Sequence, residues 1–269
     1  MNVRKFLAVM TAAVVFGPAA HAATIFSDNF ESGNLNNWTS TAATPSPLVI
    51  DTAQNVIPGG GTYSAKMDIS TDRMHHNIVA DNGGNELSGY STFTSYIYDA
   101  SGAASRIFNE VRGYSGGTGL PNGGTTASGS LAQLLAIGKY NTVTLAGEVY
   151  NGNKYQARVT FGTTSGWFNL DAAGSPNRST GWHKFTIERL GDDTTINFYV
   201  DDILSRTFTA ATAQSWDTVV MGPGLGTTAG DAWIDGISVD DGVVVPEPTT
   251  FGLISLGLVA LASLRRSVR

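Results

Sequence analysis

From residue 24 to residue 239 the chain repeats one pattern: short runs in which every second residue is apolar. In "KYQARVTF", Tyr155, Ala157, Val159 and Phe161 fall on one side of an extended chain, and Gln156, Arg158 and Thr160 on the other. In "TTINFYV", Ile196, Phe198 and Val200 share a side in the same way. A period of two gives a strand with one apolar face, and antiparallel strands of this kind bury that face against a second sheet. Similar runs include "YSTFTSYIYD", "SRIFNEV", "GWHKFTIERL" and "AWIDGISV", separated by turn chemistry such as "IPGGG", "NGNK" and "GDD". No helical period of useful length interrupts them, and no fixed repeat suggests a propeller or solenoid. The pattern predicts an all-β fold, a two-sheet antiparallel jelly-roll sandwich. The stretch Gly113 to Gly129, "GYSGGTGLPNGGTTASG", reads as a long mobile loop.

The two ends read differently. Arg4 and Lys5 precede an apolar run from Phe6 to Phe16, and Ala20-His21-Ala22 follows. That is the layout of a secretory signal peptide over residues 1–22, with cleavage after Ala22. At the other end, Val245-Pro246-Glu247-Pro248 is followed by an apolar run from Phe251 to Leu264 and by Arg265, Arg266 and Arg269. A helix over that run reaches about 21 Å at about 1.5 Å per residue, short of the roughly 30 Å of a bilayer core. It is apolar on every side, and its basic flank fits the cytoplasmic side. The residues predict a short, marginal membrane helix behind a proline break; a plain tail anchor is the alternative. The three segments are thus 1–22, a β-sandwich body over 23–244, and the tail 245–269.

This tail resembles the C-terminal sorting signal of PEP-CTERM proteins, in which triplet, helix and basic end occur in that order. The resemblance implies a sorting motif at Pro246, Glu247 and Pro248. It also implies an exosortase as processing partner, and delivery to the cell envelope or extracellular matrix of a Gram-negative bacterium, released or attached.

The body carries 11 of the 16 basic and 21 of the 22 acidic residues once Arg4, Lys5, Glu247 and the three C-terminal arginines are set aside, a net charge near −10. That argues against a nucleic-acid or anionic-lipid partner. With no cysteine, disulfides and thiolate zinc sites are excluded. No E-x-D-x-x-E run places paired carboxylates on one groove: Glu110, Glu148 and Glu188 stand alone, and Asp192-Asp193 and Asp201-Asp202 read as turn residues. His75 and His76 would face opposite sides of a strand, His183 reads as packed, and no G-x-S-x-G elbow occurs. The expectation is a protein that is not an enzyme.

"FSDNFESGNLNNW", "GGGTYSAKMDI" and "AWIDGISV" resemble the opening, early and final segments of bacterial carbohydrate-binding-module jelly rolls. "GWHKFTIERLGDDTTINFYVDD" is similar to the strand pairs of laminin-G and concanavalin-like sandwiches. The likeness implies a sugar-binding ancestry and hence exopolysaccharide as a partner. Sugars stack on aromatic rings, so the tryptophans matter. Trp38, Trp182 and Trp233 fall in fold-signature segments and are assigned to the core; Trp216 is undecided. Trp167 is the candidate platform, with a core cap as its alternative. Tyr96 and Tyr98 share a face that either meets solvent or lies under the Gly113–Gly129 loop. The leading reading is a matrix protein that contacts exopolysaccharide. The alternatives are a purely structural component and a divergent glycan hydrolase or lyase.

A structural Ca²⁺ is a further expectation. Asp28 alternates with Phe26 and Phe30, and Asp235 with Trp233, Ile237 and Val239, so both would lie in apolar rows. An inward carboxylate is costly unless paired, and neighbouring first and last strands would bring the two together with Glu31 as a further oxygen ligand. The resemblance implies a calcium at the same place. The alternative is that a β-bulge at Gly236, or the start of the strand, turns the aspartates outward to bond turn amides.

Overall fold

The computed structural model describes residues 22–41, 48–54, 60–67, 73–100, 106–140, 145–210, 215–222 and 232–242. The predicted signal peptide up to residue 21, the sorting triplet and the C-terminal apolar run lie outside the described residues. Fifteen strands follow in chain order: β1 (Ala23–Asp28), β2 (Thr39–Ser40), β3 (Val49–Asp51), β4 (Ser64–Met67), β5 (Met74–Asn77), β6 (Ser91–Asp99), β7 (Ile107–Gly119), β8 (Ser128–Lys139), β9 (Gln156–Phe161), β10 (Thr164–Asn169), β11 (Gly181–Arg189), β12 (Thr195–Val200), β13 (Ile203–Thr209), β14 (Thr218–Met221) and β15 (Ala232–Asp241). They form an eight-stranded sheet, β13–β12–β11–β6–β15–β4–β3 with β1 also on β15, and a seven-stranded sheet, β10–β9–β8–β7–β14–β5–β2. Every pairing is antiparallel. The described residues form an all-β sandwich of two antiparallel sheets.

The alternation explains the layering. Phe93 and Ile97 of β6 and Phe185 and Ile187 of β11 point inward. They meet Leu135 and Ile137 of β8 and Val159 and Phe161 of β9, all at most 2% exposed. Each such side chain contributes about 1.5–3 kcal/mol on burial. Trp216, undecided from sequence, is fully buried, and Trp38 is buried as expected. Asp201 and Asp202 shape the two-residue turn between β12 and β13, both with positive φ (51° and 63°), the backbone of a type I′ hairpin.

Two expectations are corrected. First, Gly113–Gly129 is not one long loop. β7 continues to Gly119 and β8 begins at Ser128, so most of the stretch is a bulged hairpin. Gly113 permits it, because a Cβ there would run into the Ser215 carbonyl. The hairpin tip folds back over the outer face of the seven-stranded sheet. Asn77 donates to the Thr118 and Leu120 carbonyls (2.5 and 2.9 Å), and the Gly123 amide donates to Thr39 Oγ1 (2.8 Å). Buried Asp217 secures it by accepting from the Tyr114 amide at 2.6 Å. Burial, against these donors, pushes the Asp217 carboxyl up to about 6.

Second, β15 does not alternate through Asp235. Its register against β6 shifts between Asp235 and Ser238, and Gly236 takes φ 52°. This bulge puts Trp233 and Asp235 opposite Tyr98 and Tyr96 on the outer face, while Ile234, Ile237 and Val239 face the core.

Candidate functional site

The outer face of the eight-stranded sheet carries an aromatic row. Trp182 on β11 pairs with Tyr98 on β6, which pairs with Trp233 on β15. Both indoles meet the tyrosine edge-on, at 5.5 Å and 74° and at 5.6 Å and 89°, the geometry that aromatic quadrupoles favour. Trp182, Tyr98 and Tyr96 are half-buried; Trp233 is 8% exposed. Trp233 is the fixed end of the row: its Nε1 donates to Asp51 (3.0 Å), and Lys66 Nζ sits over its ring at 5.5 Å. The core assignment of Trp182 is therefore corrected, whereas Trp233 is buried as expected, on the outer side of its sheet. For Trp182 the parity was legible, since it alternates with Lys184, Thr186 and Glu188, opposite His183, Phe185 and Ile187. For Trp233 it was not, because the bulge intervenes. Tyr96 and Tyr98 share the outer face as expected, and the Gly113–Gly129 segment lies against the other sheet.

Further along the same face is a polar cluster. Glu188 accepts from Asn197 Nδ2 (2.8 Å), the Tyr199 hydroxyl (2.7 Å) and the Tyr90 hydroxyl. Burial works against the Glu188 charge, but the three donors outweigh it and hold the carboxyl below its usual range. Burial and the adjacent carboxylate push Tyr199 up to about 12. Glu188 is thus not isolated: beyond its hydrogen-bonded group, Asp240 lies two strands away in the same cross-strand row, on the far side of Thr92. The face offers rings for stacking near one end of β6 and β11 and fixed hydrogen-bonding groups near the other.

Trp167 lies on β10 of the other sheet. Its ring stacks on Tyr140 (3.9 Å, 2°) and meets Phe108 edge-on at 5.0 Å; Arg106 lies over Tyr140 at 4.8 Å. One face of Trp167 is therefore occupied by Tyr140, and the indole is half-buried, intermediate between a free platform and a cap. The structure does not bring Trp167 together with Tyr96 and Tyr98, which belong to the opposite sheet.

The acidic residues assigned to calcium are separated. Asp28 does point inward, opposite Ile237. Its carboxylate accepts from the Phe30 amide (2.8 Å), Trp38 Nε1 (2.9 Å) and Asn37 Nδ2 (3.2 Å). Glu31 accepts from the Thr62 and Tyr63 amides (2.9 and 3.0 Å). Asp235, turned to the outer face, accepts from the Gly236 amide at 2.7 Å. The convergence expected of Asp28 and Asp235 is corrected by the bulge, which places their side chains on opposite faces. Among the described residues no group of three or more acidic or histidine side chains is arranged to hold a metal.

A hydrogen-bonded chain not foreseen from sequence closes one end of the sandwich. His183 Nδ1 donates to Asp201 Oδ2 (2.8 Å), and its Nε2 lies 3.0 Å from both the hydroxyl and the carbonyl oxygen of Ser179. The three residues have the composition of a nucleophilic triad. The Ser179 carbonyl, however, asks Nε2 to be a donor, and a general base must present a lone pair there. Burial opposes charge on His183, but Asp201 and the Ser179 carbonyl outweigh it and raise its pKa; the Asp201 carboxyl is lowered, its bonds to His183 and Lys184 overcoming burial. The pair therefore stabilises the fold between the two titrations. Its contribution is fully present below about 6.5, the ordinary histidine value, and is lost as pH rises through the raised folded value. At the acid end it is lost as pH falls through the lowered Asp201 value. The melting-temperature gap between wild type and His183→Gln is expected to be widest near about pH 5.5 and to narrow as pH rises through the raised histidine value. A gap independent of pH would contradict the charged pair.

With this geometry in place, the comparisons are informative. Residues 244–267 match the PEP-CTERM protein-sorting motif. The chain carries a PEP-CTERM sorting signal. The motif marks a protein exported across the inner membrane to the cell surface. No curated protein matches the chain in sequence. Among solved structures, the conserved carbohydrate esterase of Shiga toxin-encoding bacteriophage phi24B is similar in fold. Its TM-score is 0.51 at 11% identity, over 82% of this chain and 100% of that one. Cellulose induced protein Cip1 gives 0.47 at 13% identity, over 80% and 96%. Domain 4 of AbnA, an extracellular GH43 arabinanase from Geobacillus stearothermophilus, gives 0.47 at 10%, over 84% and 96%. At 11% identity the likeness to the bacteriophage protein is one of fold alone.

Proposed function

We propose that this is a non-catalytic surface or matrix protein, sorted by an exosortase, that contacts exopolysaccharide through the outer face of its eight-stranded sheet. The observation that carries the reading is the row Trp182–Tyr98–Trp233. Two of its rings are half-exposed on a face where one would expect scattered polar residues, and a hydrogen-bonding cluster around Glu188 lies farther along the same face. The net negative charge of the body favours neutral or cation-bridged glycans over polyanions.

A glycan array probed with the exported protein tests this. Tyr98→Ala or Trp182→Ala is expected to weaken binding about 10- to 30-fold, the usual cost of truncating an aromatic anchor, while Trp167→Ala leaves it unchanged. Absence of any retained glycan would favour the purely structural role. Release of product from a polysaccharide or acetylated glycan, abolished in Ser179→Ala, would overturn the non-catalytic reading and put the Ser179–His183–Asp201 chain to catalytic use.

Sorting has its own test. In a host with the exosortase, the wild-type chain is expected to lose the residues after about Pro248. A chain with Pro246, Glu247 and Pro248 replaced by alanine is expected to accumulate uncleaved in the membrane. Unchanged size and location in that variant would contradict exosortase processing.

A further inference from the structure

Lys139 and Asp99 meet inside the sandwich. Asp99 ends β6 in the row of Phe93 and Ile97; Lys139 ends β8 in the row of Leu135 and Ile137. The two side chains thus come from different sheets and point at each other. Nζ lies 2.7 Å from Oδ1, and both residues are 3% exposed. Tyr155, itself 1% exposed, places its hydroxyl 3.5 Å from Oδ2. The chain has no cysteine, so no disulfide can join the two layers.

We propose that Lys139 and Asp99 condense into an intramolecular amide, a covalent strut between β8 and β6. The proton on Nζ passes along the hydrogen bond to the carboxylate, leaving a neutral amine and a neutral acid. The amine lone pair attacks Cγ, and the carbonyl electrons move onto one oxygen, the one nearer the Tyr155 hydroxyl. Nitrogen then releases a proton to the hydroxyl on Cγ, which departs as water while the carbonyl re-forms. One ammonium and one carboxylate become one secondary amide and one water; nothing is oxidised or reduced, and no co-reactant is needed.

Three features favour the step. The partners are held in contact by two rigid sheets, so the reaction is unimolecular. The site is dry, which strips both groups of the solvation that would make them inert. The product also removes a desolvated ion pair, whose burial is costly, and replaces it with a neutral amide.

Peptide mapping decides the question on the full chain as purified. Trypsin cuts after Arg73, Arg106, Arg112 and Lys154, and cuts after Lys139 only if that amine is free. The expected digest contains peptide 74–106 joined to 113–154, lighter than their sum by one water. Finding only linear 74–106, 113–139 and 140–154 would overturn the proposal. Lys139→Arg must lose the joined species completely, and its persistence there would overturn the assignment to Lys139. Asp99→Asn provides a second arm. It can condense with release of ammonia instead of water, and its joined peptide is then expected at the wild-type mass. The wild-type digest stands whether or not either variant folds.

Discussion

Arg189→Met is expected to lower the stability of the protein by about 3–5 kcal/mol. Arg189 ends β11 on the inward row and is fully buried. Its guanidinium donates to the carbonyls of Leu87 (2.6 Å) and Gly89 (2.8 Å) and to Ser91 Oγ (2.8 Å), and pairs with Asp193 at 3.2 Å. It also stacks 4.7 Å over the ring of Trp216, which exchanges backbone hydrogen bonds with Leu87. One side chain thus links the segment before β6, the β11–β12 turn and the segment before β14. Burial pulls the guanidinium down to about 10, with Asp193 and Asp241 opposing. Methionine fills much of the volume but donates nothing, so two carbonyls and a hydroxyl lose their buried partner. Against a total stability of about 5–15 kcal/mol, such a loss should show as a large shift in the denaturant midpoint. A shift equivalent to less than about 1 kcal/mol would mean that water replaces the guanidinium without penalty.

The second large effect concerns Glu110. It lies on the outer face of β7 yet is only 1% exposed, because Arg73 and Arg112 close over it beside the folded-back hairpin. Oε1 accepts from Arg73 Nη2 at 3.0 Å; Oε2 accepts from Arg112 Nε and Nη2 at 2.7 and 2.6 Å. Arg112 in turn reaches the Tyr114 hydroxyl at 3.3 Å. Glu110→Gln keeps the shape and removes the charge, leaving two guanidiniums facing each other across a neutral amide. Breaking a buried pair from one side costs about 3–5 kcal/mol. The loss should be regional as well as global: amides of the β7–β8 hairpin are expected to lose hydrogen-exchange protection before those of β6 and β11. Uniform protection in the variant would show that the hairpin is held by other contacts.

Glu110 also shows where reading the sequence stops. Nothing in "IFNEVRGY" indicates that Arg73 arrives from thirty-seven residues away. The same holds for Ser179, His183 and Asp201, and for Lys139 and Asp99. His183 and Asp201 stand out in the sequence and Ser179, Lys139 and Asp99 do not; in every case the partner is set by strand pairing or sheet packing, and neither leaves a mark on local periodicity.

Much was determined by the sequence alone. The period of two fixed the strand type and, for β6, β9, β11 and β12, which residues share a side. The acidic pair Asp201-Asp202 announced a hairpin turn, and the proline triplet with its apolar run and arginines announced sorting. These are local properties, written within a few residues. Tertiary structure decided which side is dry. A single inserted residue at Gly236 reverses the parity of β15, carrying Trp233 to the surface row and separating Asp235 from Asp28. A hairpin that reads as loop buries an outer face instead of leaving it in solvent. A strand's pattern specifies two faces but not their partners, and the partners come from residues distant in the chain.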